Sequence, residues 1–375
     1  MVKKKIYLDN AATTPVYKGV VKEMNKYYLE RYGNPSSTHE FGEIALKAIQ
    51  ESRKKIASEI GAKPWEIIFT SGTTESNNMA FFGLAGENKK KKKIIISSIE
   101  HSSIFEICDI LARNGYNVTE IPVNSEGILD IKSLEKEIYY NTLLVSIMHV
   151  NNEIGVIQDI ERIGEICNKK GVLFHSDCAQ SFGKLKIDVK KMNVDLLSAG
   201  AHKIGGPKGI GFLYIRDSLK IEPLIYGGGQ ERNLRGGTEN VPGIAGFAKA
   251  LEIVKGIDTK KIEKSRHYFI SKLEELGGRV NGSKKDRIYN NINVSLSGID
   301  GESLVIFLSL KGIYVSAGSA CDSKKQKESK VLKAIGLNER ERKGAVRISL
   351  NEDISRKDID YVVEEIRKNV GKLRA

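Results

Sequence analysis

The chain has 375 residues, 40% of them hydrophobic and 29% charged, and a formal net charge of +13. That length suffices for one large domain or two moderate ones with a real core, and the composition excludes collagen-like, disordered and disulfide-scaffold classes. The basic balance fits either a solvated lysine-rich surface or an acidic partner such as nucleic acid.

In chain order, the spacing predicts helices over 16–32 and 40–61, then a regular alternation of strand and helix from about residue 65 to 215. Short β-branched runs at 67–70, 94–98, 143–148 and 173–176 read as buried strands, and 103–114 and 160–170 as the clearest helices between them. This rhythm predicts an α/β unit with a mostly parallel sheet. A second region from about residue 256 reads as a small α+β unit, with helices over 258–276, 301–310 and 356–373 and strands over 291–295 and 345–349. No internal repeat is visible, and the five lysines of 89–93 read as a solvated turn.

Four cysteines, Cys108, Cys167, Cys178 and Cys321, lack the C-x-x-C spacing of zinc or redox motifs and are too sparse for a secreted framework. The basic start carries no apolar signal core, and no stretch has the length of a membrane span. A soluble, cytoplasmic protein in a reducing compartment is therefore expected, with no membrane partner and no direct DNA binding.

Four segments could carry chemistry. Ser71-Gly72-Thr73-Thr74-Glu75-Ser76-Asn77 follows the strand 67–70 and opens a helix, which makes either an anion site at the helix N-terminus or simple capping. His175-Ser176-Asp177-Cys178-Ala179-Gln180 ends the strand 173–176. An acid at the carboxyl edge of a parallel strand sits where ligands bind and can hold a cationic ring nitrogen, or can merely satisfy a turn. Ser198-Ala199-Gly200-Ala201-His202-Lys203 puts a lysine after an apolar stretch and beside glycines, a candidate Schiff-base amine among many surface lysines. Ser316-Ala317-Gly318-Ser319-Ala320-Cys321 is a run of small residues followed by lysines, which reads as an exposed loop with a reactive thiol rather than a core cysteine. The glycine-rich runs 205–211, 227–229 and 236–237 lack nucleotide-loop spacing.

Taken in this order, these segments resemble the cysteine desulfurases, pyridoxal 5'-phosphate (PLP) enzymes of the aminotransferase class V group. The likeness also rests on Tyr7-Leu8-Asp9-Asn10-Ala11-Ala12-Thr13-Thr14-Pro15, Gly33-Asn34-Pro35-Ser36-Ser37, Ile99-Glu100-His101, His149-Val150-Asn151-Asn152-Glu153-Ile154-Gly155, Arg235-Gly236-Gly237-Thr238 and Val346-Arg347-Ile348-Ser349. It implies the PLP-dependent transferase fold type I: a large PLP-binding domain over 16–255 with a mostly parallel seven-stranded sheet, and a small domain of 1–15 with 256–375.

The resemblance also implies roles. Lys203 would carry PLP as a Schiff base and shuttle the Cα proton. Asp177 would pair with the ring nitrogen and Gln180 with the ring hydroxyl. His101 would stack on the ring and handle the substrate thiol proton. Thr73, Thr74, His202 and the backbone of Gly200 would hold the phosphate, joined by Thr238 from the second subunit of a homodimer. Asn152 and Arg347 would clamp the carboxylate of L-cysteine. Cys321 would take the sulfur as a persulfide, leaving alanine, and pass it to an acceptor for iron–sulfur cluster assembly or tRNA thiolation. Cys321 could also ligate such a cluster.

Three departures stand out. Many relatives carry a serine at the position of Gly200, so weaker PLP retention is expected here. The segment 324–330 is unusually basic, and Lys324, Lys325 and Lys327 could dock an acidic acceptor or tRNA. The chain stops at Ala375, soon after the last helix, where housekeeping bacterial relatives carry a further tail that docks the scaffold, so the manner of scaffold binding stays open. The rival within the fold is a selenocysteine lyase or another class V lyase or aminotransferase, although a plain transaminase needs no thiol like Cys321. The rival from another class is a basic RNA-binding or scaffold protein with a retired site, which the combination of Lys203, Asp177, His101 and Arg347 opposes.

Overall fold

The computed structural model describes residues 5–317 and 328–374. Its elements begin with β1 (Ile6–Tyr7), α1 (Lys18–Leu29) and α2 (Glu40–Glu59). The alternating unit follows as β2 (Ile67–Thr70), α3 (Thr73–Glu87), β3 (Lys93–Ser97), α4 (Ser102–Arg113), β4 (Asn117–Ile121), α5 (Ile131–Glu137), β5 (Thr142–Ser146), α6 (Ile160–Lys169), β6 (Leu173–Asp177), β7 (Leu196–Gly200) and β8 (Gly211–Ile215). After α7 (Val241–Val254) and α8 (Thr259–Glu275) come β9 (Gly278–Val280), β10 (Asn291–Leu296), α9 (Gly301–Leu310), β11 (Ile313–Tyr314), β12 (Ser316–Ala317), α10 (Lys330–Ala334), α11 (Glu339–Lys343), β13 (Ala345–Ser349) and α12 (Arg356–Arg374).

The first sheet has seven strands in the order β2-β8-β7-β6-β5-β3-β4. All its pairs are parallel except those of β8, which runs antiparallel to both β2 and β7. The α/β expectation holds in this sheet. Every residue of β2, β3, β5, β7 and β8 is buried, as strands covered by helices on both faces must be. The four apolar runs correspond to β2, β3, β5 and β6, and β4, β7 and β8 are additional strands. β4 is a half-exposed edge strand, and β7 and β8 meet at glycines, with Gly200 opposite Gly211.

That glycine pair is a close approach. A Cβ on Gly211 would stand 2.7 Å from the Gly72 Cα, so only glycine lets β8 pass under the loop that opens α3. Thr70, Ser97, Ser146, Asp177 and Gly200 all end their strands at one edge of this sheet. The loops after β2, β3, β5, β6 and β7 therefore converge there, the place where ligands bind in open α/β sheets.

A second, antiparallel sheet has the order β12-β13-β10-β9, and β1 pairs with β11 in parallel. Ile6 and Leu8 share a core with Phe269, Ile292, Ile313 and Ile348, so the first residues pack with the last third of the chain. Residues 331–337 behave differently. Val331, Leu332, Ile335 and Leu337 are buried with Ile154 and Val156 in the core of the seven-stranded body. Among the described residues, no helix is long and apolar enough to cross a membrane.

Candidate active site

A cavity of about 480 Å³ opens at the carboxyl edge of the seven-stranded sheet. Of the predicted residues, Thr73, Thr74, His101, Asn152, Asp177, Gln180, His202, Lys203 and Arg347 line it. Gly200 lies just beneath, at the end of β7, while Thr238 is exposed in the loop before α7 and does not line it. That loop is tied to the cavity rim by Arg235, whose Nε donates to Glu75 Oε1 at 3.0 Å. Cys321, with Lys324, Lys325 and Lys327, lies outside the described residues. Among the described residues no cluster of His, Cys, Asp or Glu could hold a metal ion.

Lys203 ends a short turn after β7, and its Nζ donates to the carbonyls of Ala11 at 2.6 Å and Ala12 at 2.8 Å. The N-terminal segment thus forms the wall that the lysine crosses. Behind it, Lys184 shares a second cavity of about 150 Å³ with Lys203, and burial, then the Lys203 charge, lowers its pKa to about 7. His202 is brought down to about 4 by burial and then by the charges of Lys203, Lys208 and Lys184. It is neutral at neutral pH, and its Nδ1 lies 3.2 Å from Thr13 Oγ1.

Asp177 is buried at the end of β6, where Oδ1 accepts from the Ala179 N–H at 2.9 Å and Oδ2 from Asn77 Nδ2 at 2.9 Å. Each oxygen retains a lone pair for a further donor. Neighbouring Glu100 is pushed up to about 8 by burial and holds its proton at pH 7, despite donors from Ser97 and the Met148 N–H, with Asp177 raising it further. Glu100 therefore adds no negative charge beneath the cavity at pH 7.

Arg347 is 1% exposed on β13. Its Nη1 donates to the Asn152 carbonyl at 3.1 Å, and its Nη2 pairs with Asp9 Oδ1 at 2.7 Å. The partners that aim these groups are Asn77 for Asp177, Ser103 for His101 and Asp9 for Arg347, none of them assigned a role by the motifs. Asn77 and Asp9 reach partners 100 and 338 positions away, which nothing in a linear string reveals.

The residues present fit a phosphorylated, ring-bearing cofactor. Thr73 Oγ1 is buried without a hydrogen-bond partner among the described residues. It stands at the N-terminus of the 15-residue α3, where free N–H groups and the positive end of the helix favour an anion.

The aminotransferase class-V family model matches residues 6–362. The chain belongs to the class-V aminotransferase family. A cysteine desulfurase IscS of Dictyoglomus turgidum is 45% identical over 379 residues, covering 100% of this chain and 96% of that protein. One from Methanosarcina thermophila is 45% identical over 380 residues, with coverage of 99% and 93%. A solved NifS-like protein superposes with a TM-score of 0.93 at 40% identity over 99% of this chain and 100% of the other. A structure of SspA in complex with cysteine gives 0.85 at 40% identity, with coverage of 93% and 99%. The type I fold implied by the motifs is thereby established for this class-V chain.

Proposed function

We propose that this chain is a PLP-dependent cysteine desulfurase that converts L-cysteine to L-alanine and keeps the sulfur as a persulfide on Cys321. The observation that carries this reading is the convergence of Lys203, Asp177, His101 and Arg347 on one cavity at the sheet edge. The relatives named above act as its second support.

PLP, when bound, supplies an electron sink for the substrate Cα carbanion. Lys203 is the amine that would carry it and later move the Cα proton. Asp177 would accept from the ring nitrogen and hold it cationic, and Gln180 would serve the ring hydroxyl. The α3 N-terminus with Thr73 and Thr74, neutral His202 and the Gly200 N–H would hold the phosphate. Arg347, as a planar two-pronged donor, would orient the substrate carboxylate beside Asn152. His101 would stack on the ring and act at the substrate sulfur. The Cys321 thiolate then attacks the substrate sulfur: an S–S bond forms, the C–S bond breaks and its electron pair stays with the departing carbon.

The same reading assigns residues 16–255 to a large PLP-binding domain and 1–15 with 256–375 to a small one. It makes the working form a cytoplasmic homodimer in which Thr238 serves a second copy's phosphate, and it makes an iron–sulfur scaffold or a tRNA-thiolation protein the sulfur acceptor.

The test is to incubate the PLP-loaded protein with L-cysteine and a reductant, beside C321A and K203A. Equimolar alanine and sulfide is expected from the wild type. C321A should lose both while keeping the Schiff-base absorbance, and K203A should lose the absorbance. Undiminished sulfide or selenide release by C321A would instead make the protein a lyase that does not use this thiol.

A further inference from the structure

Four side chains under the cavity form one hydrogen-bonded chain. Asn77 Nδ2 lies 2.9 Å from Asp177 Oδ2 and 3.1 Å from Ser103 Oγ. Ser103 Oγ lies 2.9 Å from His101 Nδ1, and the Ser103 backbone N–H donates to the same nitrogen at 3.2 Å. Asn77 is fully buried, and so is its Oδ1, which has no partner among the described residues.

The bond directions follow from the two ends of the chain, the Asp177 carboxylate and the Ser103 backbone N–H at His101 Nδ1. A carboxylate only accepts, so the Asn77 atom facing Asp177 is the amide nitrogen. That nitrogen has two hydrogens and spends the second on Ser103 Oγ. The Ser103 backbone N–H can only donate, so His101 Nδ1 must accept. The Ser103 hydroxyl then turns its single hydrogen to the same nitrogen. Nδ1 therefore carries no proton, and the neutral imidazole holds its hydrogen on Nε2.

We propose that Asn77 and Ser103 are positioning residues that transmit the charge of Asp177 into a fixed Nε2–H tautomer of His101. On the desulfurase reading, on which this consequence rests, His101 then acts at the substrate as a hydrogen-bond donor. It stabilises negative charge on sulfur rather than removing the thiol proton through Nε2. Protonation at Nδ1 would require the Ser103 hydroxyl to turn away and would set two N–H groups against each other, so the lock also opposes the imidazolium form.

The experiment is long-range proton–nitrogen correlation NMR on the full-length, PLP-loaded chain with 15N-labelled histidine, His101 being assigned with H101Q. The wild type should show the Nε2–H tautomer at pH 7.5. In S103A the Nδ1–H population should rise about fivefold, the loss of one hydrogen bond of about 1 kcal/mol. S103T should restore the wild-type pattern, and N77L should resemble S103A. A wild-type His101 protonated on Nδ1 overturns the proposal. So does a tautomer ratio that moves in neither S103A nor N77L, and S103A keeps the test alive should N77L fail to fold. The nitrogen spectrum does not depend on turnover, so failure of the desulfurase reading would appear in alanine formation and failure of the lock in the spectrum.

Discussion

Arg347 and Asp9 stand 338 positions apart and meet at 2.7 Å, with the guanidinium almost wholly buried. One prong of the arginine is thus anchored to a carboxylate and the other to the Asn152 carbonyl before any substrate arrives. The anchor fixes the plane in which a second carboxylate would be bound. Asp9→Asn should leave kcat within about twofold, raise KM for cysteine several-fold and cost about 1–3 kcal/mol of stability, because a buried cation loses its charged partner. Arg347→Lys should raise KM by at least about tenfold, since an ammonium cannot reproduce the fork. Steady-state kinetics beside urea melts read both. An unchanged KM in Asp9→Asn would contradict the anchoring role.

Gly200 and Thr73 are sterically linked. A Cβ on Gly200 would meet Thr73 Oγ1 at 2.8 Å, and that oxygen is the buried one lacking a partner. Threonine is stiff about χ1 and yields little. Gly200→Ser should therefore weaken PLP retention several-fold, the opposite of the gain expected from the motif comparison, because the added Cβ crowds Thr73. Thr73→Ala should weaken it by about tenfold through loss of a bond to a charged group. The double variant T73A/G200S should return to within about threefold of wild type. Equilibrium dialysis of PLP would expose simple additivity, which would mean the two positions do not share one space.

Glu100 sets a pH signature. The folded protein holds its proton up to about 8, whereas an unfolded glutamate releases it near 4.5. Over that window the folded state binds more protons, so stability falls as pH rises. His175, His149 and His202, lowered to about 3, 4 and 4 by burial, act oppositely below about pH 6.5, and Lys184, lowered to about 7, acts oppositely above it but equally in wild type and Glu100→Gln. Between pH 6.5 and 8 the wild type should thus lose about 1.5 kcal/mol more than Glu100→Gln. Denaturant melts at the two pH values measure the difference, and parallel losses would mean that Glu100 ionises normally.

Thiol reactivity separates the cysteines. Burial pushes Cys108, Cys167 and Cys178 each up to about 12, so they offer neither access nor thiolate. Brief treatment of the native protein with iodoacetamide at pH 7.5 should label Cys321 and leave these three at least about tenfold slower. Peptide mass spectrometry reads each site separately.

Much of the site was legible because its chemistry lies in short strings at strand ends. Asp177 closes an apolar run, Lys203 follows one, and Thr73 opens a helix directly after one. Strand periodicity did not reveal β7 and β8, whose ends are glycines chosen for close approach rather than for β propensity. Nor could it reveal that Val331 to Leu337 pack on the seven-stranded body, since an apolar face does not name its partner. The links between Asp9 and Arg347 and between Asn77 and Asp177 were invisible for the same reason: each is made by the fold closing a long loop, and neither residue type is unusual in its own neighbourhood.

The pairing of the two chain ends bears on how the enzyme comes into being. Ile6 and Tyr7 hydrogen-bond beside Ile313 and Tyr314, Asn10 donates to the Ser349 carbonyl, and the carbonyls that receive Lys203 belong to Ala11 and Ala12. A ribosome must therefore have made the chain through Ser349 before the wall of the pocket can be built. Closure over such sequence distances is slow. Lys203 is made well before the segments that fix its receiving carbonyls, so cofactor capture waits for late strands to close over early ones.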